Sequence, residues 1–259
     1  MKDLEHIRAS IRSNEYQGAT SGLAPNYVQG NLVIMQDDYA NEFIQYCLTN
    51  PKPCPIIGVS KIGDVGILAL GDSLDIRIDV PEYHIFIDGQ FVKAVNDIKD
   101  YWQDNLVSIV LGCSFSFEDA LIQAGFNVRN IDMNVNVSMY ETTIKTAETE
   151  HFSGNMVVTM RPFKAHQVDD VIRITERFSK AHGAPVHIGN PAEIGINDLE
   201  KPDYGALVTL EKDDIPVFWA CGVTTQVAVQ NAQLPFVITH APGKMLITDK
   251  SYEELSDIG

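Results

Sequence analysis

Two segments share one plan, and that plan constrains the fold more than any other feature. In VSIVLGCSFSFEDALIQAG (107–125) and IPVFWACGVTTQVAVQNAQ (215–233) an apolar strand runs into a cysteine, then into small and hydroxyl residues, then into a helix. The run Leu106–Leu111 is apolar almost throughout, as expected of a strand covered on both faces. Helices must therefore lie over sheets, which is the layered logic of α/β proteins.

The rest of the chain fits that frame. Leu4, Ile7 and Ile11 recur at helical spacing. Leu32–Met35 reads as a strand, and Asp37 or Asp38 opens a helix with Phe43, Ile44, Cys47 and Leu48 on its inner face, stopped by PKPCP. Residues 75–95 alternate apolar and polar around Asp88-Gly89, a strong hairpin signal. Ser116 is placed to cap the helix after Cys113, and Gly125 to end it. Met156–Met160 is a strand that Arg161-Pro162 should end, followed by a helix carrying Val168, Val171, Ile172 and Thr175. Residues 205–222 read as a second hairpin turning at Asp213-Asp214, and the chain closes with PFVITH, a turn and KMLITD. We expect an α/β protein with mixed sheets. One compact unit of two interleaved lobes is expected, a larger one formed by 1–58 and 155–259 and a smaller one by 59–154.

Charge narrows the function. The 259 residues carry 19 Lys and Arg against 35 Asp and Glu, a formal charge of −16. So negative a surface repels phosphate backbones and anionic lipid, which argues against nucleic-acid or membrane partners. The charged N-terminus MKDLEHIRAS is no export signal, and no run approaches the ~18 apolar residues of a membrane span. A cytoplasmic protein with reduced Cys47, Cys54, Cys113 and Cys221 is expected. No CxxC is present and the His and Cys spacings offer no closed metal set, so neither metal nor cofactor is expected. Exposed hairpin edges call for cover, and a homo-oligomer would provide it.

The candidate chemistry lies at the two cysteine turns. A helix N-terminus offers free N–H groups and partial positive charge to an anion, and can lower the pKa of a thiol. Cys113 with Ser114 and Ser116, and Cys221 with Thr224 and Thr225, are placed to hold a carboxylate and move protons, and we expect the turns to meet in one cleft. Ordinary capping explains the hydroxyls equally well. His182, His187 and His240 flank Gly/Pro turns at strand ends, suiting them to acid–base work. Arg161 could clamp a carboxylate or pair internally with Asp203 or Asp249. Walker, GxGxxG, HExxH and GxSxG motifs are absent from the sequence.

The strings GLAPNYVQGNLVI, NPKPCP, GCSFSFE, MRPF, HGAPVHIG, PDYG, PVFWACGVTTQ and ITHAPGKMLITD span nearly the whole chain. They resemble a bacterial family that carries a hydro-lyase name. A similar domain forms part of animal D-glutamate cyclase proteins, which make 5-oxo-D-proline with loss of water. The resemblance implies an α/β fold with a three-layer part and a smaller α+β part. It also implies a carbon–oxygen lyase acting on a small amino or hydroxy carboxylate such as D-glutamate or 5-oxoproline. Two other readings stand beside it: a cofactor-independent racemase or epimerase using Cys113 and Cys221, and a carboxylate-binding protein without catalysis.

Overall fold

The computed structural model describes residues 2–255. Its strands are β1 (Tyr27–Gln36), β2 (Ile56–Val59), β3 (Tyr83–Ile87), β4 (Gln90–Val95), β5 (Leu106–Gly112), β6 (Ser138–Lys145), β7 (Asn155–Lys164), β8 (His187–Ile188), β9 (Asp214–Ala220), β10 (Val237–His240) and β11 (Leu246–Ser251). Its helices are α1 (Lys2–Arg12), α2 (Asp37–Thr49), α3 (Phe115–Gln123), α4 (Arg129–Asp132), α5 (Val168–Thr175) and α6 (Val223–Ala232). The protein is α/β, with helices packed on two sheets. One sheet runs β2-β5-β1-β10-β3-β4 with β11 also on β1, and the other runs β6-β7-β9-β8. Every ladder pairing between these strands is antiparallel, so the α/β class holds but the expected mixed sheets are corrected to antiparallel ones.

The first sheet explains the nearly continuous apolar run at 106–111. Val107, Ile109 and Leu111 of β5 join Val33 and Met35 of β1 under α2 and α6. Alternate residues Leu106, Val110, Leu32 and Ile34 face a coil carrying Ile67, Leu70, Leu74, Ile76 and Val80. With cover on both faces, period-2 alternation has no polar side to show. In the second sheet Phe163, Val217 and Trp219 pack under α3 and α5, while Val158, Met160 and Phe218 meet Ile194 and Ile196.

The helices cross between sheets. α3 follows a strand of the first sheet, yet its Phe117 and Leu121 pack on the second. α6 follows a strand of the second sheet, yet its Ala228 and Val229 pack on the first. The exchange brings the two cysteine turns face to face.

Three local expectations are corrected. β7 continues through Arg161-Pro162 to Lys164. Pro162 lies beyond the reach of β6, whose pairing stops at Met160, so its missing N–H leaves no partner unpaired there. Residues 206–211 form no strand, and β9 pairs with β7 and β8 instead. The 206–208 stretch is drawn towards β6, where Ala206 N–H donates to Asn136 O (3.2 Å) and Val208 N–H to Ser138 Oγ (2.8 Å). Ser116 lies inside the first turn of α3, and the cap position is Ser114. The Asp88-Gly89 turn is as expected, with left-handed φ of 48° and 73°. No helix among the described residues is long and apolar enough to cross a membrane.

Candidate functional site

The ladders on β1 leave an interruption that positions the site. β10 pairs with Val33–Met35, β11 with Tyr27–Gly30, and between them the 241–245 loop swings off the sheet beside Asn31 and Leu32. A cavity of ≈ 20 Å³ opens there, lined by Cys113, Ser114, Thr159, His182, Cys221 and His240 among others. It has room for about one water-sized group. Met139 and Met245 form part of its wall, and such flexible side chains can yield to a larger ligand.

The two cysteine turns are built alike. Cys113 Sγ accepts the Phe115 N–H that opens α3, and Cys221 Sγ accepts the Val223 N–H that opens α6. The expected lowering of the thiol pKa does not occur. Burial pushes Cys113 up to about 12 and Cys221 up to about 11, outweighing one N–H each, so both are thiols at neutral pH. Ser114 N–H and Gly222 N–H, the residues after each cysteine, have no hydrogen-bond partner among the described residues and border the cavity. Close approach fixes two glycines here. A Cβ on Gly112 would lie 1.6 Å from the Lys180 carbonyl oxygen, and one on Gly222 would lie 2.3 Å from Asn31 Nδ2.

Arg161 does not border the cavity. It is 1% exposed, and its partner is neither Asp203 nor Asp249 but Glu118, with Nε 3.0 Å and Nη2 2.5 Å from Glu118 Oε1. Asp249 instead pairs with Arg8 at 2.5 Å, and Asp203 accepts the Glu141 N–H. Arg161 reaches the cavity indirectly. Its Nη1 donates to Thr159 Oγ1 (3.0 Å) and its Nη2 to Ser114 Oγ (3.1 Å). With those lone pairs engaged, the two hydroxyls keep their own protons for another acceptor.

His182 and His240 border the cavity. His182 sits in a left-handed turn (φ 77°), and its Nδ1 donates to Lys52 O at 2.8 Å, which leaves Nε2 for the cavity. His187 lies elsewhere on β8, with its Nε2 2.7 Å from Asn190 O and its ring 5.7 Å from that of Phe218. Three hydroxyls are occupied by structure. Ser116 Oγ accepts Gln29 N–H, Thr224 Oγ1 bridges Val157 N and O, and Thr225 Oγ1 donates to Gly222 O. Sequence reasoning missed Asn31, Glu118, Asn136 and Thr159. The signal for Asn31 was an amide breaking the apolar run of β1. Among the described residues no three His, Cys, Asp or Glu side chains cluster as metal ligands.

Burial lowers both His182 and His240 from 6.5 to about 4, so both are neutral at pH 7. Between pH 6.5 and 4 the unfolded chain then binds more protons than the folded one. Stability is full above the upper value and falls as pH drops through the window. Each histidine contributes up to about 3 kcal/mol to that fall. Urea unfolding across the window should show the decline, and a His182→Asn/His240→Gln double variant should flatten it. A wild-type curve level down to the bottom of the window would refute it.

Comparison with known proteins bears on this site. The family model described as D-glutamate cyclase matches residues 107–249, more than half the chain and all of both cysteine turns. A protein of Aliivibrio salmonicida is 52% identical over 253 residues, covering 98% of this chain and 97% of its own length. The chain belongs to the D-glutamate cyclase family. Another relative, from Bradyrhizobium diazoefficiens, is 53% identical over 242 residues, covering 93% of this chain and 89% of its own. One from Shewanella woodyi is 51% identical over 255 residues, covering 98% and 95%. All three carry a hydro-lyase name. Within the D-glutamate cyclase match lie Cys113, Ser114, Thr159, His182, Cys221 and His240, whereas Asn31 lies outside it.

Proposed function

We propose that this member of the D-glutamate cyclase family is a hydro-lyase that closes a small amino dicarboxylate, D-glutamate, to 5-oxo-D-proline with loss of water. One observation carries the reading: two helix N-termini, two thiols and two neutral histidines converge on one cavity whose lining includes no Asp, Glu, Lys or Arg. Such a site supplies donors to an oxygen that gains charge, without a fixed ion to trap it.

In the reaction the amine attacks the γ-carboxyl carbon, a C–N bond forms and a C–O bond breaks. Two protons leave the ammonium nitrogen and end on the departing oxygen, so the only co-product is water. His182 Nε2, neutral at pH 7, accepts the first proton from the ammonium group. The N–H groups of Ser114 and Gly222, with the Ser114 and Thr159 hydroxyls, hold the tetrahedral oxyanion. The Cys113 and Cys221 thiols, kept protonated by burial, serve as acids to the leaving oxygen.

A second reading has one observation in its favour, the presence of both cysteines on the same cavity. In a racemase one sulfur would remove the α-proton and the other thiol would return one. Mass spectrometry of D- and L-glutamate incubated in deuterated water separates the two. The lyase yields a product lighter by one water, with the α-hydrogen retained. Deuterium at the α-carbon without loss of water would replace the lyase reading with the racemase. Binding without either change would leave a carboxylate-binding protein.

A further inference from the structure

The hydrogen bonds of His240 conflict with its charge. Its Nδ1 lies 2.8 Å from Ala241 O and its Nε2 3.1 Å from Asn31 Oδ1. The direction of the Asn31 amide is set by its other end, where Nδ2 donates to Gly112 O at 2.9 Å. Both ring nitrogens therefore face carbonyl oxygens, which accept and cannot donate. A neutral imidazole has one N–H and one lone pair, so one contact sets lone pair against lone pair. Only the imidazolium satisfies both.

Nothing around the ring supplies the charge to hold that cation. β1 presents Asn31, β3 pairs Tyr83 with His240 and carries His84 next to it, and α6 presents Gln226, whose Nε2 donates to His240 O at 3.3 Å. Across the cavity stand the Cys113 and Cys221 thiols and His182. The nearby Glu82 lies 3.6 Å from His84 and is already paired with Lys244 at 2.9 Å. Burial and the neighbouring His84 keep His240 neutral in the ligand-free protein. The missing partner is an anion in the cavity.

We propose that the cavity binds a carboxylate together with one proton, and that His240 is the residue that takes the proton. Neutral His240 gains a proton from solvent and becomes the imidazolium, donating through Nδ1 to Ala241 O and through Nε2 to Asn31 Oδ1. The ligand's negative charge is matched by the proton, so a small apolar-walled cavity in a chain of charge −16 is loaded without net charge. The proposal rests on the carboxylate reading above and adds the charge state in which the ligand is held.

Isothermal titration of the full chain with 5-oxo-D-proline, in buffers of different ionisation heat, tests it. Uptake of one proton per ligand is expected at pH values between those at which His240 titrates in the free and in the bound protein. Affinity should fall about tenfold per pH unit across that interval and level off above it. His240→Gln should abolish the uptake and His182→Asn should retain it. Nitrogen-15 spectra of the wild-type protein test it without any substitution. The His240 ring should show one unprotonated nitrogen when free and two protonated nitrogens at saturation. Binding with buffer-independent heat and a flat pH profile overturns the proposal while the carboxylate reading stands. Uptake that survives in His240→Gln but vanishes in His182→Asn overturns it as well. No binding of 5-oxo-D-proline, D-glutamate or glutarate at any pH removes both.

Discussion

Replacing Arg161 with Met lowers the unfolding free energy by about 3–5 kcal/mol, the usual cost of stranding one member of a buried ion pair. Glu118 is only 1% exposed, and without Arg161 it keeps just two long contacts, Asn130 Nδ2 and Ser21 Oγ, both at 3.4 Å. The guanidinium also lies 5.2 Å from the Phe117 ring centroid and 5.6 Å from that of Trp219. The pair thus ties β7 to α3 across the junction of the two sheets. Arg161→Met/Glu118→Leu should recover most of the loss, because no unpaired charge remains. Urea titration of the three proteins decides. A single variant within about 1 kcal/mol of wild type would mean the carboxylate finds water or another partner, and that the pair does not fasten the junction.

His182→Asn should lower kcat for the proposed dehydration of D-glutamate by about a hundredfold or more, within the range of a lost general base. Asn suits the left-handed backbone at this position better than most residues, so the fold should survive and circular dichroism should confirm it. His187→Gln should change little, because its ring sits on Phe218 away from the cavity. Exposed His166→Gln is the surface control. Equal small losses in all three variants would move the proton transfer away from His182, to the thiols or to His240.

The cysteine turns were legible because strand, cysteine, hydroxyls and helix follow one another directly in sequence. Their meeting was only an expectation, since it depends on α3 and α6 exchanging sheets, and no local pattern specifies which sheet a helix covers. The supposed hairpin at Asp213-Asp214 shows the same limit. Alternation in β9 tells which side chains face inward but does not name the neighbouring strand. Here Asp214 is anchored by Arg129 and Lys164 at 2.6 and 2.7 Å, and the partners are β7 and β8.

Site residues divide along similar lines. His182 and His187 carry the same Gly/Pro turn signals, yet only His182 lines the cavity, directly after the Lys180–Ala181 backbone that approaches Gly112 too closely for any side chain there. Glu118 follows Ser114 and Ser116 in a pattern that reads as helix capping, which concealed its pairing with Arg161. Thr159 lies inside an apolar strand, where a hydroxyl attracts no notice. Its significance comes entirely from the guanidinium beside it.

In the proposed reaction the small cavity between the two helix N-termini holds the substrate. Larger surface pockets are present, one of ≈ 480 Å³ at Val59–Leu74 and another of ≈ 520 Å³ between Tyr16–Gly22 and Asn130–Asn136. Amide NMR of the full chain titrated with 5-oxo-D-proline separates them directly. The largest shifts should fall on the amides of Ser114 and Gly222, the cap residues of α3 and α6. Shifts confined to Gly66–Asp72 or to Ser21–Gly22 and Asn134, with Ser114 and Gly222 unmoved, would contradict the account.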